Sequence, residues 1–506
     1  GGILGFIERI GNKIPDITIL FISAFLLVCV VSAVLAQIHF NYVHPATGRP
    51  IEITNMLSGK ALVDLMSKMV TNYANFPPLS MVIVATLGIG IADGSGYINT
   101  GLKKILSITP KVLITPVVIL VGMLSHLGPD SGYVIIIPIA AYMFYAVGKH
   151  PLAGIAASFA GIAGAFAANY TPSAIDPVIQ GFTQSAAQII DPGYQVNVLC
   201  NYFYAFASTF IVIGACWWVT EKITNPWLWK ACPLDDDLDL GNENNSSITP
   251  SENRAFKIAT AVLLLMLTGL AAALYPADSI LRAPDGVIAS FKAPIMQSIV
   301  SLIFIFAALV GLVYGIACGK FKSPKDVTAA MEEITKTLVQ LIVFYFFAAQ
   351  FLYAFGASNM GALIAVSGAE FLKSLNLPPQ VTVFGIIVFV ALLNLIITSA
   401  SAKWAILAPI FVPMLMAVGI APELTQVAFR VSDSAVNVVT PMFAFYPLII
   451  LYCQKYVKNA GIGTLSSMML PYTIALLVSL TFMLYLFWWL DIPLGFQADY
   501  VYPRRF

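Results

Sequence analysis

Residues 381–418 read VTVFGIIVFVALLNLIITSASAKWAILAPIFVPMLMAV. A helix crosses a bilayer with about 20 apolar residues, so this run is too long for one helix. Small polar residues and one lysine, from Thr398 to Lys403, interrupt it near its middle. Non-helical backbone cannot face lipid, because its N–H and C=O groups would lack partners. The run therefore predicts a re-entrant hairpin whose tip is buried in protein.

The first half of the chain contains a run of the same kind at 112–146. Its middle, from Ser125 to Gly132, reads SHLGPDSG and puts Asp130 at the expected tip. The same argument from unsatisfied backbone groups predicts a second re-entrant hairpin there.

Two further apolar runs are interrupted by polar residues and prolines. After 151–169, Asp176 is flanked by prolines on both sides, so we expect it on non-helical backbone. The run 424–452 is interrupted by Asn437 and Pro441. A proline inside a membrane helix frees backbone carbonyls that can bind a cation or a substrate. These runs are therefore predicted to be broken spans.

The composition agrees with a membrane protein. Of the 506 residues, 59% are hydrophobic and 10% are charged, and the net charge is +1. Soluble domains carry roughly 25% charged residues. The numbers exclude an ordinary soluble enzyme, a disordered chain and a basic nucleic-acid binder. The six scattered cysteines form no C-x-x-C pair, which favours buried, inert thiols.

Apart from the two hairpins, nine apolar runs are long enough to span a membrane. They lie at 16–38, 79–102, 151–169, 197–220, 256–275, 294–318, 338–372, 424–452 and 466–490. We expect a break in the run 79–102 at its glycine-rich stretch, Asp93 to Gly96. The predicted fold class is an all-α polytopic membrane protein with nine transmembrane helices and two re-entrant hairpins.

The chain also repeats itself. Tyr133 corresponds to Trp404, and Pro151 corresponds to Pro422, each pair 271 positions apart. A hairpin returns to the side it entered from, so one extra helix between the units would invert the second unit. Two inverted repeats with discontinuous helices are typical of secondary transporters.

The predicted domains follow from this repeat. They are a first repeat over 1–222 with hairpin 112–146, a cytoplasmic linker over 223–255, a connecting span over 256–275, and a second repeat over 276–506 with hairpin 381–418. Lysine and arginine are enriched in the segments that this topology assigns to the inner side. That bias predicts a cytoplasmic N-terminus and a periplasmic C-terminus.

The second broken span carries polar residues on one helical stripe, at spacings of 4, 3 and 4: Gln426, Arg430, Asp433 and Asn437. Arg430 suits a substrate carboxylate, and Asp433 suits a proton or Na⁺. A permanent pair between Arg430 and Asp433 is the structural alternative.

Other candidates surround this stripe. Ser399 and Ser401 at the second hairpin tip offer oxygens to a ligand, or only pack tightly. Trp404 either stacks on an aromatic ligand or lies at the membrane interface, and Lys403 is expected to extend to the outer surface. In the first broken span, Asn169 and Asp176 are candidate ion ligands, with a surface-loop carboxylate as the alternative for Asp176.

The missing motifs limit the function. The sequence has no Walker motif and no H-E-x-x-H or G-x-S-x-G motif, so ATP-driven transport and hydrolysis are not expected. We predict a secondary transporter coupled to H⁺ or Na⁺, and not an enzyme. An ion or solute channel and a sodium-coupled dicarboxylate uptake carrier are the alternatives. No cofactor is expected, apart from a Na⁺ ion that Asp433 and Asn437 could bind.

Several segments resemble the AbgT family of p-aminobenzoyl-glutamate transporters and antimetabolite efflux pumps. They are Glu8 to Lys13, Gly148 to Gly154, Ser399 to Trp404, Ala408 to Met414 and Phe429 to Ser434. The resemblance implies nine spans, two hairpins, a homodimer in the bacterial inner membrane, and p-aminobenzoyl-glutamate or a sulfonamide as substrate. The family's site residues would correspond to Asp176, Ser401, Trp404, Pro422, Arg430, Asp433 and Pro441.

Overall fold

The computed structural model describes residues 15–45, 47–127, 132–235 and 247–504. The predicted hairpin tip at Asp130 and much of the polar linker lie outside these residues. Within the described ranges the chain is helical and has no β-strand, only two isolated bridges. The all-α fold class is therefore confirmed.

The described residues of the first half of the chain form ten helices. They are α1 (Ile17–Leu35), α2 (Gly59–Ala74), α3 (Pro77–Ser95), α4 (Tyr97–Ser107), α5 (Ile114–Leu124), α6 (Ile137–Ala146), α7 (Pro151–Phe159), α8 (Ile175–Ala187), α9 (Tyr202–Val219) and α10 (Asn225–Ala231). Short 3₁₀ or π segments extend some of them, at 111–113, 125–127, 132–136, 160–164 and 220–224.

Eleven helices follow within the described residues 247–504. They are α11 (Pro250–Leu274), α12 (Pro294–Gln297), α13 (Ile299–Ala317), α14 (Pro324–Lys336), α15 (Val339–Ala357), α16 (Met360–Ser374), α17 (Pro379–Asn394), α18 (Ala400–Ala417), α19 (Pro422–Val436), α20 (Tyr446–Gln454) and α21 (Ile462–Trp489). Many helices begin at a proline, because the first N–H of a helix has no intrahelical partner to lose.

Burial separates central helices from peripheral ones. Every residue of α7 and of α19 is buried. In contrast, only Ala255 and Ala259 are buried in α11, an apolar helix that would face lipid. Within the described residues, eight helices are long and apolar enough to cross a membrane. A ninth is added if α16 and α17, bent by 117°, count as one span. These findings agree with a polytopic membrane protein.

Several predicted breaks are confirmed. Gly96 has a φ of 94° and separates α3 from α4 inside the run 79–102. The first broken span loses helical structure between 164 and 175, and the second between 436 and 446. The second hairpin is interrupted between α17 and α18, as its polar middle predicts.

Two expectations are wrong. The run 338–372 is not one helix, because Asn359 adopts a left-handed φ of 62° between α15 and α16, a conformation that asparagine tolerates. Asp176 lies in the first turn of α8, since Pro177 removes an N–H that has no partner there anyway. Helical structure continues past residue 222 to Ala231, and α11 begins at Pro250, while the division into two repeats and a linker stays a prediction.

The connections that join α6 to α7 and α18 to α19 have the same geometry. Each contains a glycine with positive φ, Gly148 at 78° and Gly419 at 89°. These two glycines are 271 positions apart, like the residues matched in sequence. The residue before each glycine donates its N–H to a carbonyl of the preceding helix, at 3.2 Å and 3.1 Å respectively.

The long helices of the two halves pack reciprocally. Helix α1 of the first half packs against α15 of the second, and α13 of the second half packs against α3 of the first. Helices α8 and α18 cross between the halves, and α19 packs against α17 and α21. This arrangement brings both broken spans and the second hairpin together in the interior.

Candidate functional site

A cavity of about 380 Å³ lies where the second hairpin, both broken spans and α3 meet. Its wall is mainly apolar, with Val82, Ile162 and Phe443 among the lining residues. The polar groups on the wall come from several elements: Thr86, Ser125, His126, Ser173, Thr337, Thr398, Ser401, Asp433 and Asn437. Of the candidates named from sequence, Ser401, Asp433 and Asn437 therefore line one cavity.

Asp433 pairs with a lysine from the second hairpin. Its Oδ1 lies 2.5 Å from Nζ of Lys403, and neither side chain is exposed to solvent. The expectation that Lys403 extends to the outer surface is wrong, because Lys403 on α18 pairs with the buried Asp433 carboxylate on the neighbouring helix α19. The other oxygen of Asp433, Oδ2, has no hydrogen-bond partner among the described residues.

Asn394 at the end of α17 holds this pair together. Its Oδ1 accepts a hydrogen bond from Lys403. Its Nδ2 donates to the backbone carbonyl of Asp433 at 2.6 Å and to Oδ1 of Asn437 at 3.0 Å. Lys403 also donates to the carbonyl of Ile397 at 3.1 Å. The two arms of the hairpin and the end of α19 are thus joined by one buried polar network.

Arg430 pairs with the first broken span. Its Nη1 lies 2.8 Å from Oδ1 of Asp176. The Oδ2 of Asp176 accepts hydrogen bonds from Ser173, at 2.7 Å from the backbone N–H and 3.2 Å from the hydroxyl. The Nε of Arg430 has no hydrogen-bond partner within the described residues. The guanidinium therefore keeps an unused donor.

This pairing corrects two alternatives. Arg430 and Asp433 do not pair with each other, because each has a closer partner on a neighbouring element. Asp176 is not a surface-loop carboxylate, since only 9% of the residue is exposed. Neither Asp176 nor Arg430 lines the large cavity, but Ser173, which holds Asp176, does.

A small void lies beside the Arg430 pair. It measures about 10 Å³, roughly the room that one water molecule needs. Asn169, Asn201 and Tyr202 line it together with Asp176 and Arg430. Nδ2 of Asn169 lies 3.4 Å from Nδ1 of His126, a residue of the cavity wall. Polar contacts therefore connect the void with the cavity.

Trp404 does not line the cavity. Its ring is fully buried and stacks on Phe429, with centroids 4.4 Å apart and an angle of 24°. The indole N–H donates to Thr183 at 2.9 Å, and the Thr183 hydroxyl donates to Gln426 at 2.6 Å. The interfacial position is therefore wrong, because Trp404 connects the second hairpin to α8 and α19 inside the protein.

Ser399, Pro422 and Pro441 are not among the residues that line the cavity. Ser399 is exposed and caps α18, accepting a hydrogen bond from the N–H of Ala402 at 3.4 Å. Pro422 begins α19, about 16 Å along the helix from Asp433 at 1.5 Å per residue. Pro441 is half-buried in the break between α19 and α20.

Sequence reasoning missed two important residues. Asn394 carries the buried network, and its only signal is an amide inside an apolar run. Glu423, in the first turn of α19, is fully buried and pairs with Arg504 of the C-terminal segment. An acidic residue directly after the first proline of a membrane helix could have suggested a buried partner.

The chain is similar to known transporters over its whole length. The model of the AbgT putative transporter family matches residues 2–502. The p-aminobenzoyl-glutamate transport protein of Escherichia coli (strain K12) is 32% identical over 506 residues, which cover 100% of this chain and 97% of the relative.

Two solved structures share the fold. The YdaH transporter of Alcanivorax borkumensis aligns with a TM-score of 0.89 and 37% identity, over 95% of this chain and all of that one. Neisseria gonorrhoeae MtrF, which represents a class of antimetabolite efflux pumps, aligns with a TM-score of 0.92 and 39% identity, over 98% of this chain and all of that one. These relatives are transporters and efflux pumps, not enzymes. The chain belongs to the AbgT family of transporters.

Proposed function

We propose that the protein is a cation-coupled secondary transporter of small aromatic carboxylates, with p-aminobenzoyl-glutamate as the leading candidate. The observation that carries this proposal is the cavity of about 380 Å³ with Asp433 on its wall and the Arg430–Asp176 pair behind it. Sites for small ligands measure roughly 300–1,000 Å³, so the cavity suits such a molecule. Sulfonamide antimetabolites are the second substrate class.

Aromatic side chains support an aromatic substrate. Phe166, Tyr133 and Phe443 line the cavity. Tyr133 also stacks on Phe445, with centroids 4.1 Å apart. A substrate ring would pack against these faces. Trp404 would act indirectly, by holding the second hairpin in place through Thr183.

Arg430 would bind the substrate carboxylate. A guanidinium can hold a carboxylate with two parallel hydrogen bonds, and Nε of Arg430 has no acceptor among the described residues. The substrate would compete with Asp176 for the guanidinium. Because Ser173 both lines the cavity and holds Asp176, a small movement of the irregular segment 165–174 would open this route.

Charge balance explains why a cation would travel with the substrate. Arg430, Asp176, Lys403 and Asp433 carry no net charge together when all are ionised. A substrate carboxylate therefore adds an uncompensated negative charge at membrane depth, which is unfavourable. A cation that binds at the same time offsets one such charge, and a substrate with two carboxylates, such as p-aminobenzoyl-glutamate, would need two. This argument favours cotransport of carboxylates with the cation over exchange.

Asp433 is the proposed site of that cation, with Asp176 as the second candidate. For H⁺, the free oxygen of the Asp433 carboxylate would be protonated. For Na⁺, carboxylate and amide oxygens of Asp433 and Asn437 would be the ligands, since hard cations prefer oxygen. Asn169, near the Arg430 pair, would contribute only if the ion moves between the two carboxylates.

The proposed architecture is nine spans and two re-entrant hairpins in two inverted repeats, over 1–222 and 276–506. The matched connections at Gly148 and Gly419 support the repeat. We further propose a homodimer in the bacterial inner membrane, with the N-terminus in the cytoplasm. The lipid bilayer and the small-molecule substrate are the other expected partners. Binding to nucleic acid is not expected.

Single cysteines test this topology. The experiment uses a background without native cysteines. Lys111 and Asn376 lie just before the first and second hairpins, at the membrane surface from which each hairpin is proposed to enter. The proposal expects an impermeant thiol reagent to label Lys111→Cys from the cytoplasmic side and Asn376→Cys from the periplasmic side. Labelling of both from one side would contradict inverted repeats.

Counterflow in proteoliposomes tests the function. Vesicles loaded with unlabelled p-aminobenzoyl-glutamate should accumulate the labelled compound transiently, and accumulation should become sustained under either a pH or a Na⁺ gradient, each varied separately. A flux that neither saturates nor shows counterflow would indicate a channel. Stronger uptake of an aliphatic dicarboxylate would favour the dicarboxylate carrier.

A further inference from the structure

Lys403 is buried as deeply as the carboxylate it contacts. Both side chains are 0% exposed. A fully buried ion pair adds little net stability, because the loss of hydration offsets the attraction, and apolar residues of similar volume often stabilise as well. The position of this pair on the wall of the transport cavity therefore suggests a role beyond stability.

The pair leaves one oxygen of the Asp433 carboxylate as a ligand for a second cation. Lys403 contacts Oδ1 of Asp433, whereas Oδ2 has no hydrogen-bond partner in the described part of the chain. Asp433 itself lines the cavity, so an ion can arrive there from the substrate side. Because the Asp433 side chain is fully buried, a cation from the cavity would reach this oxygen only after a small movement of the cavity wall.

Lys403 also has other acceptors. Its ammonium group donates to Oδ1 of Asn394 and to the carbonyl of Ile397. An ammonium has three N–H donors, so these two neutral contacts still hold it when the charge of Asp433 is neutralised. The network would keep Lys403 close by, ready to pair with the carboxylate again.

We infer that Lys403 is an internal competitor for the coupling cation at Asp433. The inference rests on the proposed function and names the residue that releases the ion. A bound H⁺ or Na⁺ weakens the attraction between Asp433 and Lys403. When the site opens to the side of release, the attraction between the Lys403 ammonium and Asp433 favours dissociation of the cation. Lys403 is thus a positioning residue that sets ion affinity, and it does not touch the substrate.

Other charged groups surround this site. Arg430 lies one turn before Asp433 on α19 and acts on it electrostatically. His126 faces the same cavity from the first hairpin, and Asp176 on α8 is occupied by Arg430. None of these groups changes when Lys403 alone is replaced, so a shift in ion affinity can be attributed to Lys403.

The test compares Lys403→Met with Lys403→Arg. Methionine keeps much of the length and removes the charge, whereas arginine keeps a permanent charge. Ion-driven accumulation of p-aminobenzoyl-glutamate is measured in proteoliposomes, against Na⁺ at fixed pH and against pH at fixed Na⁺. The coupling ion is Na⁺ if accumulation changes in the Na⁺ series, and H⁺ if it changes in the pH series.

Without its competitor, Asp433 should bind the cation more tightly. Lys403→Met should lower the half-saturating cation concentration by about tenfold or more, or about 1.4 kcal/mol, and should slow turnover. Lys403→Arg should stay within roughly threefold of the native value, because its charge remains. An unchanged half-saturating concentration in folded Lys403→Met would overturn the inference.

A matched control is available in Lys149, whose Nζ also lies 2.5 Å from a carboxylate, that of Glu221, with side chains 21% and 28% exposed. Lys149→Met should leave the ion dependence unchanged. If Lys403→Met does not fold, the double variant Lys403→Met with Asp433→Asn removes both charges. Its remaining flux should be independent of the cation, and a native ion dependence would contradict the inference.

The two proposals fail in different ways. If the native protein shows no ion-driven accumulation, the proposed function is wrong before any variant is compared. If the native protein is coupled and the Lys403→Met protein has the native ion affinity, only the role of Lys403 is wrong.

Discussion

The two ends of helix α19 carry the same kind of interaction in different settings. At the N-terminal end, Glu423 pairs with Arg504 and also accepts hydrogen bonds from Tyr194 at 2.9 and 3.1 Å. At the C-terminal end, Asp433 pairs with Lys403 through one oxygen, and its other oxygen has no hydrogen-bond partner among the described residues. Both carboxylates are buried, but Asp433 belongs to the wall of the large cavity and Glu423 does not.

The difference distinguishes a structural ion pair from a functional one. The C-terminal segment closes over Glu423, and the guanidinium of Arg504 stacks on Tyr194 at 4.2 Å. The Glu423 side chain is 0% exposed and that of Arg504 is 14% exposed. Arg430 and Asp176 lie between these two cases, because they are mostly buried but next to a void and a cavity wall. Burial alone therefore does not indicate function, whereas access from a cavity does.

The largest effect is expected at the middle pair. Arg430→Ala should weaken the binding of carboxylate substrates by about 1.5–3 kcal/mol, roughly 10- to 100-fold, the scale of a charge-assisted hydrogen bond. An analogue whose carboxylates are converted to amides should lose much less. Substrate affinity measured by counterflow checks this. An equal loss for both compounds in folded protein would make Arg430 a structural partner only.

The closed pair should affect stability instead. Arg504→Ala leaves Glu423 buried without its cation, which should lower the free energy of unfolding by about 3 kcal/mol. Substrate affinity of the folded fraction should not change. Thermal unfolding in detergent measures the first effect and counterflow the second. Lys336→Ala is the control, because its pair with Glu333 is exposed and should leave the melting temperature unchanged. An Arg504→Ala protein with native stability and weakened substrate affinity would show that the Glu423–Arg504 pair is functional and not structural.

The smallest effect concerns the repeat. Gly148→Ala and Gly419→Ala each force a side chain into left-handed backbone and should destabilise the protein by about 1 kcal/mol. A Cβ at either position meets no atom closer than 3.7 Å, so the strain comes from the backbone alone. The two losses, measured as denaturation midpoints, should be alike. A clear loss at only one position would show that the two connections are not equivalent.

The sequence predicted the features that depend on local chemistry. Prolines and polar residues inside apolar runs located the breaks before Asp176 and after Val436, and the stripe on α19 identified Arg430, Asp433 and Asn437. The partners could not be predicted. Lys403 precedes Asp433 by 30 positions, so their contact depends on how the second hairpin packs against α19. Asp176 lies in the first half of the chain, so its contact with Arg430 depends on how the two halves pack. Helix spacing also allowed a local pair of Arg430 and Asp433 as an alternative, which the fold does not form.

The most direct test of the account compares the native protein with Asp433→Asn in the same proteoliposome experiment. The substitution keeps the shape of the side chain and removes the group that is proposed to bind the cation. Labelled p-aminobenzoyl-glutamate is followed first in counterflow and then under an imposed pH or Na⁺ gradient. The account predicts that Asp433→Asn still exchanges substrate but no longer concentrates it under either gradient. Retained accumulation with an unchanged ion dependence would contradict the assignment of coupling to Asp433.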